Sequence, residues 1–191
     1  MKSQAEEFKL PYAYWGASLS HIDSKIASEI INWVKNPINI LFLRGVPGCG
    51  KTYLMAAILN DSWGKKRNEN KTVRYMYEKR MFNKIRMKAG PGSFEDPMGY
   101  AMDLCEADYL MIDDFGSSKE TDFIRDVWEM IMDERLNWGK RRSTVISSNL
   151  SNEEINERFG GRTASRILCK ANTQVLFDNY DRRLDPVMGR K

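Results

Sequence analysis

A layered α/β domain, with one five-stranded parallel sheet sandwiched by helices, is the fold class this sequence predicts, and three observations predict it. Short apolar runs alternate with helical patterns along the chain, the order that builds a parallel sheet through helical crossovers. The stretch Gly45-Val46-Pro47-Gly48-Cys49-Gly50-Lys51-Thr52 fits G-x-x-x-x-G-K-[ST] and joins an apolar run, Ile38 to Leu43, to a helical one, Tyr53 to Leu59. A second apolar run, Tyr109 to Ile112, ends in the adjacent carboxylates Asp113 and Asp114.

The 191 residues suffice for one domain with a sizeable core and fall short of two. With 42% hydrophobic and 29% charged residues the composition is globular. A mean hydropathy of -0.55 argues against a membrane protein, and no apolar run approaches the roughly 18 residues of a spanning helix. The first residues are acidic and lack an apolar stretch, so neither a signal nor a transit peptide is expected, and the cytoplasm follows by default. Cys49, Cys105 and Cys169 are scattered and form no C-x-x-C pair, which suggests free thiols rather than a disulfide framework or a zinc site. His21, the only histidine, cannot make a histidine metal cluster and reads as a surface or packing residue. The net charge of +4 permits contact with nucleic acid without requiring it.

Taken in order, residues 1–22 form an aromatic-rich arm without periodicity, which either walls a base pocket beside the glycine loop or covers an edge of the core. Ile26, Ile30, Ile31 and Val34 recur at helical spacing and stop at Asn36-Pro37. A strand, the glycine loop and a buried helix follow, then a polar connection over 64–71 and a strand from Thr72 to Tyr77. Glu78 to Lys88 reads as a helix with Met81, Phe82 and Ile85 inward and Lys79, Arg80, Lys84, Arg86 and Lys88 making a basic face. Gly90-Pro91-Gly92 and Pro97 mark a loop. The acidic-ended strand comes next, then a helix from Thr121 to Trp138, closed by Gly139. Lys140-Arg141-Arg142 leads into a strand from Ser143 to Asn149. Ser151 and Glu154 match a capping box. Gly160-Gly161 reads as a turn into a short helix carrying Arg162 and Arg166, both expected exposed, and Gln174 to Phe177 is the last strand.

The chemistry follows from residue types and spacing. Glycines let backbone N–H groups converge on phosphate oxygens at a helix N-terminus, whose partial positive charge adds to the attraction. Lys51 would reach the β- and γ-phosphates, and the Thr52 hydroxyl would hold Mg²⁺. A buried strand has no packing reason to end in two acids, but a nucleotide site has: Asp113 can hold Mg²⁺ through water, and Asp114 can orient or deprotonate the attacking water. The Asn149 amide, if its strand lies between the other two, could bond that water and the γ-phosphate. Arg162 and Arg166 sit early in their helix, where the dipole does not favour cations, which hints at a role in trans. A small GTPase is a rival, since Asp113-x-x-Gly116 fits its D-x-x-G element. It would need a later N-K-x-D, and the only Asn-Lys pair, Asn83-Lys84, lies upstream and is followed by Ile85-Arg86.

Together these residues resemble the AAA+ ATPases that load bacterial replicative helicases, of the DnaC/DnaI type, and the related IstB-type transposition helpers. The resemblance rests on Gly45 to Thr52 as Walker A, Leu110 to Gly116 as Walker B, Val145-Ile146-Ser147-Ser148-Asn149-Leu150 as sensor I, and Gly161-Arg162-Thr163-Ala164-Ser165-Arg166 as the arginine-finger motif. It implies a P-loop NTPase (AAA+) three-layer sandwich over residues 23–191, preceded by the arm, with no separate C-terminal lid domain. It also implies ATP and Mg²⁺ as cofactors. Gly45, Pro47, Gly48, Cys49, Gly50, Lys51, Thr52 and Tyr53 would cradle the nucleotide, with Arg183 as a sensor-II-like contact. Thr52 and Asp113 would hold the metal, and Lys51, Asp114, Asn149 and Arg166 would carry catalysis, Arg166 in a neighbouring subunit's site. The implied partners are a further copy of the chain, head to tail, DNA, with single strands favoured, tracked by Lys79, Arg80, Lys84 and Lys88, and a replicative helicase or a transposase.

Overall fold

The computed structural model describes residues 3–37, 39–63, 70–88, 97–136, 142–178 and 180–182. Its centre is a five-stranded sheet of β1 (Ile40–Arg44), β2 (Val73–Tyr77), β3 (Tyr109–Phe115), β4 (Ser143–Ser148) and β5 (Thr173–Leu176). The strands lie in the order β2-β3-β4-β1-β5, and every pairing is parallel. The predicted five-stranded parallel sheet is therefore present, and β4 lies between the strands that carry the glycine loop and the acidic pair. Phe42 of β1 and Ile112 of β3 both pair with Ile146 of β4.

Helical layers cover both faces, which is why the strands are apolar on both sides. On one face Leu41, Leu43, Met111, Val145 and Val175 pack against α2 (Ser24–Lys35) and α3 (Lys51–Ile58). On the other, Ile40, Phe42, Leu110, Ile112 and Ile146 meet α4 (Glu78–Lys88), α5 (Pro97–Glu106), α6 (Asp122–Leu136) and α7 (Asn152–Ile167). The neighbouring strand residues alternate between the two cores, as the period of a strand requires.

The N-terminal arm includes α1 (Gln4–Glu7) and short 3₁₀ turns at Tyr12–Tyr14 and Leu19–His21. It is fastened to the far end of the loop helix. Asn60 accepts from the Ala5 N–H and donates to the Trp15 and Ala17 carbonyls, while Asp61 accepts from the Leu19 N–H and the Ser18 hydroxyl. Ala5, Leu10, Ala17 and Leu19 are buried in the same core, so the arm covers that core, the second of the two readings its sequence leaves open.

One local feature departs from sequence expectation. The loop expected around Pro97 holds a helix instead: Pro97 opens α5, because proline at a first helical position lacks only an N–H that would be unpaired anyway. The turn expected at Gly160 is present, with φ 76° and ψ 163°, as a non-helical break between two helical stretches of α7, and the Ser151–Glu154 capping box starts the first of them as expected. Among the described residues no separate lid domain follows β5, and no helix is long and apolar enough to cross a membrane. Lys140, Arg141 and Arg183 lie outside the described residues, as does the Lys88 side chain.

An interior guanidinium ties the layers at the end of the sheet away from the glycine loop. Arg135, buried in α6, donates to the carbonyls of Leu104, Cys105, Ala107 and Ser143 and to the Thr144 hydroxyl. Burial lowers its pKa to about 9, which leaves it charged at neutral pH.

Candidate functional site

The loop between β1 and α3 brings its lysine inward. Lys51 is buried, and its Nζ donates to the Gly45 and Val46 carbonyls at 2.6 and 2.9 Å and approaches Cys49 Sγ at 3.5 Å. These acceptors carry no full charge. A desolvated ammonium held this way is a ready partner for an anion. Gly48 has φ +80°, a backbone conformation that favours glycine, and a Cβ there would lie 1.7 Å from Asp181 Oδ1, so the Asp181 carboxylate rests against this glycine.

The end of β3 supplies the acids. Asp113 is fully buried; its Oδ2 accepts from Thr52 Oγ1 at 2.9 Å and from the Tyr75 hydroxyl at 2.7 Å. Its Oδ1 accepts from the Ser147 hydroxyl of β4. Burial, and then the Asp113 charge, push the Tyr75 phenol above its ordinary range, so it remains a donor. Thr52 and Asp113, 61 residues apart in sequence, are thus joined across the sheet. Their oxygens are hard donors of the kind Mg²⁺ takes, and the loop beside them fits a phosphate chain.

Adjacent strand residues ordinarily face opposite sides. The pairing of β3 with β4 slips between Ile112 and Phe115, a bulge that breaks the alternation, and Asp114 adopts φ 58°. Asp114 is half-buried and lines a cleft of about 310 Å³ with Tyr77, Lys79, Arg80 and Ser117. Asn149 stands exposed just beyond β4, with β1 on one side and β3 on the other.

Lys79, Arg80 and Lys84 are exposed on α4. The Arg80 guanidinium lies 5.3 Å from the Tyr77 ring centre and the Lys84 ammonium 5.6 Å from that of Tyr100. Tyr53, in the first turn of α3, has its hydroxyl 3.0 Å from His21 Nδ1, which carries the arm to the loop end of that helix.

The arginine motif lies apart from these groups and is not free. Arg162 pairs with Glu129 and with Asp133, the latter at 3.1 Å, and Arg166 pairs with Asp133. Both acids are on α6. The expected exposure holds for Arg162, at 62%, but Arg166 retains 19%. The α6 acids offset the poor fit of Arg162 near the start of this helical segment, whereas Arg166, expected early in the helix, stands in its last turn, where the dipole favours a cation.

Arg182 is a residue that sequence reasoning missed. Its Nε donates to the Cys49 carbonyl at 3.0 Å, its N–H donates to the Gly48 carbonyl at 3.1 Å, and its guanidinium pairs with Asp178. Phe177 packs against Gly45. The segment after β5 therefore lies on the phosphate loop. The run Asp181-Arg182-Arg183 was the available signal, and spacing alone could not show that Arg182 turns to the loop.

A family model described as IstB-like ATP binding protein matches residues 12–171. Comparison with curated protein sequences gives no match. Among solved structures, the DnaC helicase loader superposes with a TM-score of 0.71 at 21% identity, covering 88% of this chain and 100% of that one. DnaI gives 0.69 at 21% identity, covering 88% and 95%. The replication initiator DnaA bound to AMPPCP and single-stranded DNA gives 0.69 at 14% identity, covering 88% and 52%. These likenesses show a P-loop AAA+ fold, and the family match, extending over most of the sequence, shows that the chain belongs to the IstB-like ATP-binding proteins.

Proposed function

We propose that the protein binds and hydrolyses ATP with Mg²⁺, assembles head to tail on DNA, and helps load a replicative helicase. The observation that carries the nucleotide reading is the buried Lys51 ammonium among neutral acceptors, beside a Thr52 hydroxyl bonded to a buried Asp113. In this reading the loop from Gly45 to Tyr53, with Pro47 and Cys49 in its turn, binds the phosphates. Lys51 leaves its carbonyls for the β- and γ-phosphate oxygens. Thr52 and Asp113 hold Mg²⁺, which supplies charge neutralisation of the transferring phosphoryl group. Asp114 orients the attacking water and takes its proton, while Asn149 bonds that water and the γ-phosphate. Arg183 makes a sensor-II-like contact to the nucleotide, and Arg182 holds the loop through the Gly48 and Cys49 carbonyls.

Arg166 of one copy completes the next copy's site, with Arg162 beside it, by stabilising charge that develops on the phosphoryl oxygens. Both must first leave Glu129 and Asp133. Lys79, Arg80 and Lys84, with Lys88 on the same helix, track a polynucleotide backbone.

A second reading, a nucleotide-switched scaffold that recruits a transposase, is favoured by the IstB-like family match. Turnover measured with single-stranded and double-stranded DNA, together with pull-down of a replicative helicase from the source cell, separates the two. DNA-stimulated hydrolysis and helicase capture support the loader. Slow hydrolysis with a persistent filament on duplex DNA supports the scaffold, and the absence of ATP binding overturns both.

A further inference from the structure

The most unusual buried group outside the nucleotide contacts is Glu78, the first residue of α4. Its carboxylate is fully buried. Its partners are neutral donors: Oε1 accepts from the Gly116 N–H at 3.0 Å and from Trp128 Nε1 at 2.9 Å, and Oε2 accepts from the Ser118 N–H at 2.7 Å and the Ser117 hydroxyl at 3.4 Å. Removing a carboxylate from water is costly unless donors replace the lost hydration. Here the replacement comes mainly from the backbone immediately after the acidic pair.

That backbone is a turn with little freedom of its own to hold it. The Ser117 N–H donates to the Asp114 carbonyl at 3.0 Å, closing Asp114 to Ser117. Asp114 has φ 58°, a left-handed conformation unfavourable for a residue with a Cβ, and Gly116 has φ +85°. A Cβ on Gly116 would meet Leu150 Cδ1 at 2.3 Å, so the turn is also pressed against the segment after β4. Such strain persists only where the surroundings over-determine it. On the upstream side the Asp114 N–H donates to Ser147 Oγ at 3.0 Å. On the downstream side the turn is fixed by Glu78.

We propose that Glu78 is a positioning residue for hydrolysis: by holding the Gly116 and Ser118 amides it fixes the bulged turn that aims the Asp114 carboxylate. The proposal rests on the reading of Asp114 as the group that orients the attacking water. Fully buried among protein donors, Glu78 acts through the backbone. A carboxylate suits this task because one rigid, doubly accepting group receives two backbone N–H donors at once, whereas a Gln would present its own N–H₂ to one of them.

The test measures ATP affinity, single-turnover hydrolysis and thermal melting on the full chain carrying Glu78→Gln, Glu78→Asp or Asp114→Asn. The expected result for both Glu78 variants is hydrolysis lowered about 100-fold, the scale of a misplacement near 1 Å, with ATP affinity held within about threefold. Glu78→Asp keeps the buried carboxylate but shortens its reach, so it decides the matter should Glu78→Gln not fold. Either folded variant hydrolysing within about threefold of the parent overturns the proposal. So does a parallel loss of ATP affinity, which would mark a purely structural role. Asp114→Asn separates the two layers of the argument: if it hydrolyses normally the Asp114 reading fails, and if it is inactive while the Glu78 variants are not, only the proposal fails.

Discussion

The glycine-loop end of the sheet and the α6–α7 corner both carry basic residues, and they hold them in opposite ways. At the loop, Lys51 is buried against neutral carbonyls. At the corner, Arg162 and Arg166 lie against the carboxylates of Glu129 and Asp133. A cation facing neutral acceptors gains when an anion arrives, whereas one already paired must exchange partners and gains only the difference. The first arrangement suits binding by one chain; the second suits a contact made when copies meet.

Arg166→Ala gives the sharpest break between the two. If Arg166 acts in trans, turnover should fall about 10³-fold or more, the range of an arginine finger, with ATP affinity unchanged in a direct binding measurement. Loss of affinity would place Arg166 in its own chain's site and erase the distinction. Lys51→Ala should do the reverse, weakening ATP binding about 100-fold, as expected for loss of a charge-assisted contact worth roughly 3 kcal/mol. Affinity near the parent value would remove the loop as the nucleotide site.

Asp133→Asn sharpens the comparison at its weaker end. It releases part of the hold on both arginines, and because partly exposed ion pairs are worth about 0–1 kcal/mol the shift should be modest. The protein concentration giving half-maximal turnover should drop up to about fivefold, read from a titration of specific activity against concentration. A rise would mean that Asp133 serves assembly itself.

The smallest effect belongs far from both regions. Burial tends to raise the Asp108 pKa, but bonds from the Thr72 N–H and hydroxyl and from Lys71 outweigh it and hold the carboxylate below its ordinary value of 3.8. Its stabilising contribution is present above that value and is lost as pH falls through the lower folded value. Melting curves from pH 5 to pH 2 should show the gap between parent and Asp108→Asn closing with acid, while ATP affinity at neutral pH stays the same in both. A gap that widens with acid would reverse the sign.

What the sequence made legible was local. The glycine loop and its flanking elements are contiguous, so spacing alone located Lys51 and Thr52. The acids of β3 were visible because an apolar strand ending in Asp113 and Asp114 lacks a packing explanation. The bulge that turns these neighbours out of alternation was not visible, since it is a property of pairing with β4. Glu78 read as one more charge at the start of a basic helix, and only its approach to the turn after β3, 38 residues on, showed it to be interior. The pairing of Arg166 with Asp133 was hidden in the same way, because α6 and α7 are separated by a strand. Pro97 read as a loop marker because proline commonly punctuates loops, yet it also suits the first position of a helix, which is where it stands.

The strand order also bears on when the protein can first hold a nucleotide. β1 carries the loop, yet its neighbours β4 and β5 come from Ser143–Ser148 and Thr173–Leu176, late in the chain. During synthesis the loop strand therefore waits unpaired until most of the polypeptide has emerged, and such non-local closure is slow. Competence for ATP is thus a late event in biogenesis, and a chain cut short before β4 would carry the whole glycine loop with no strand on either side to support it.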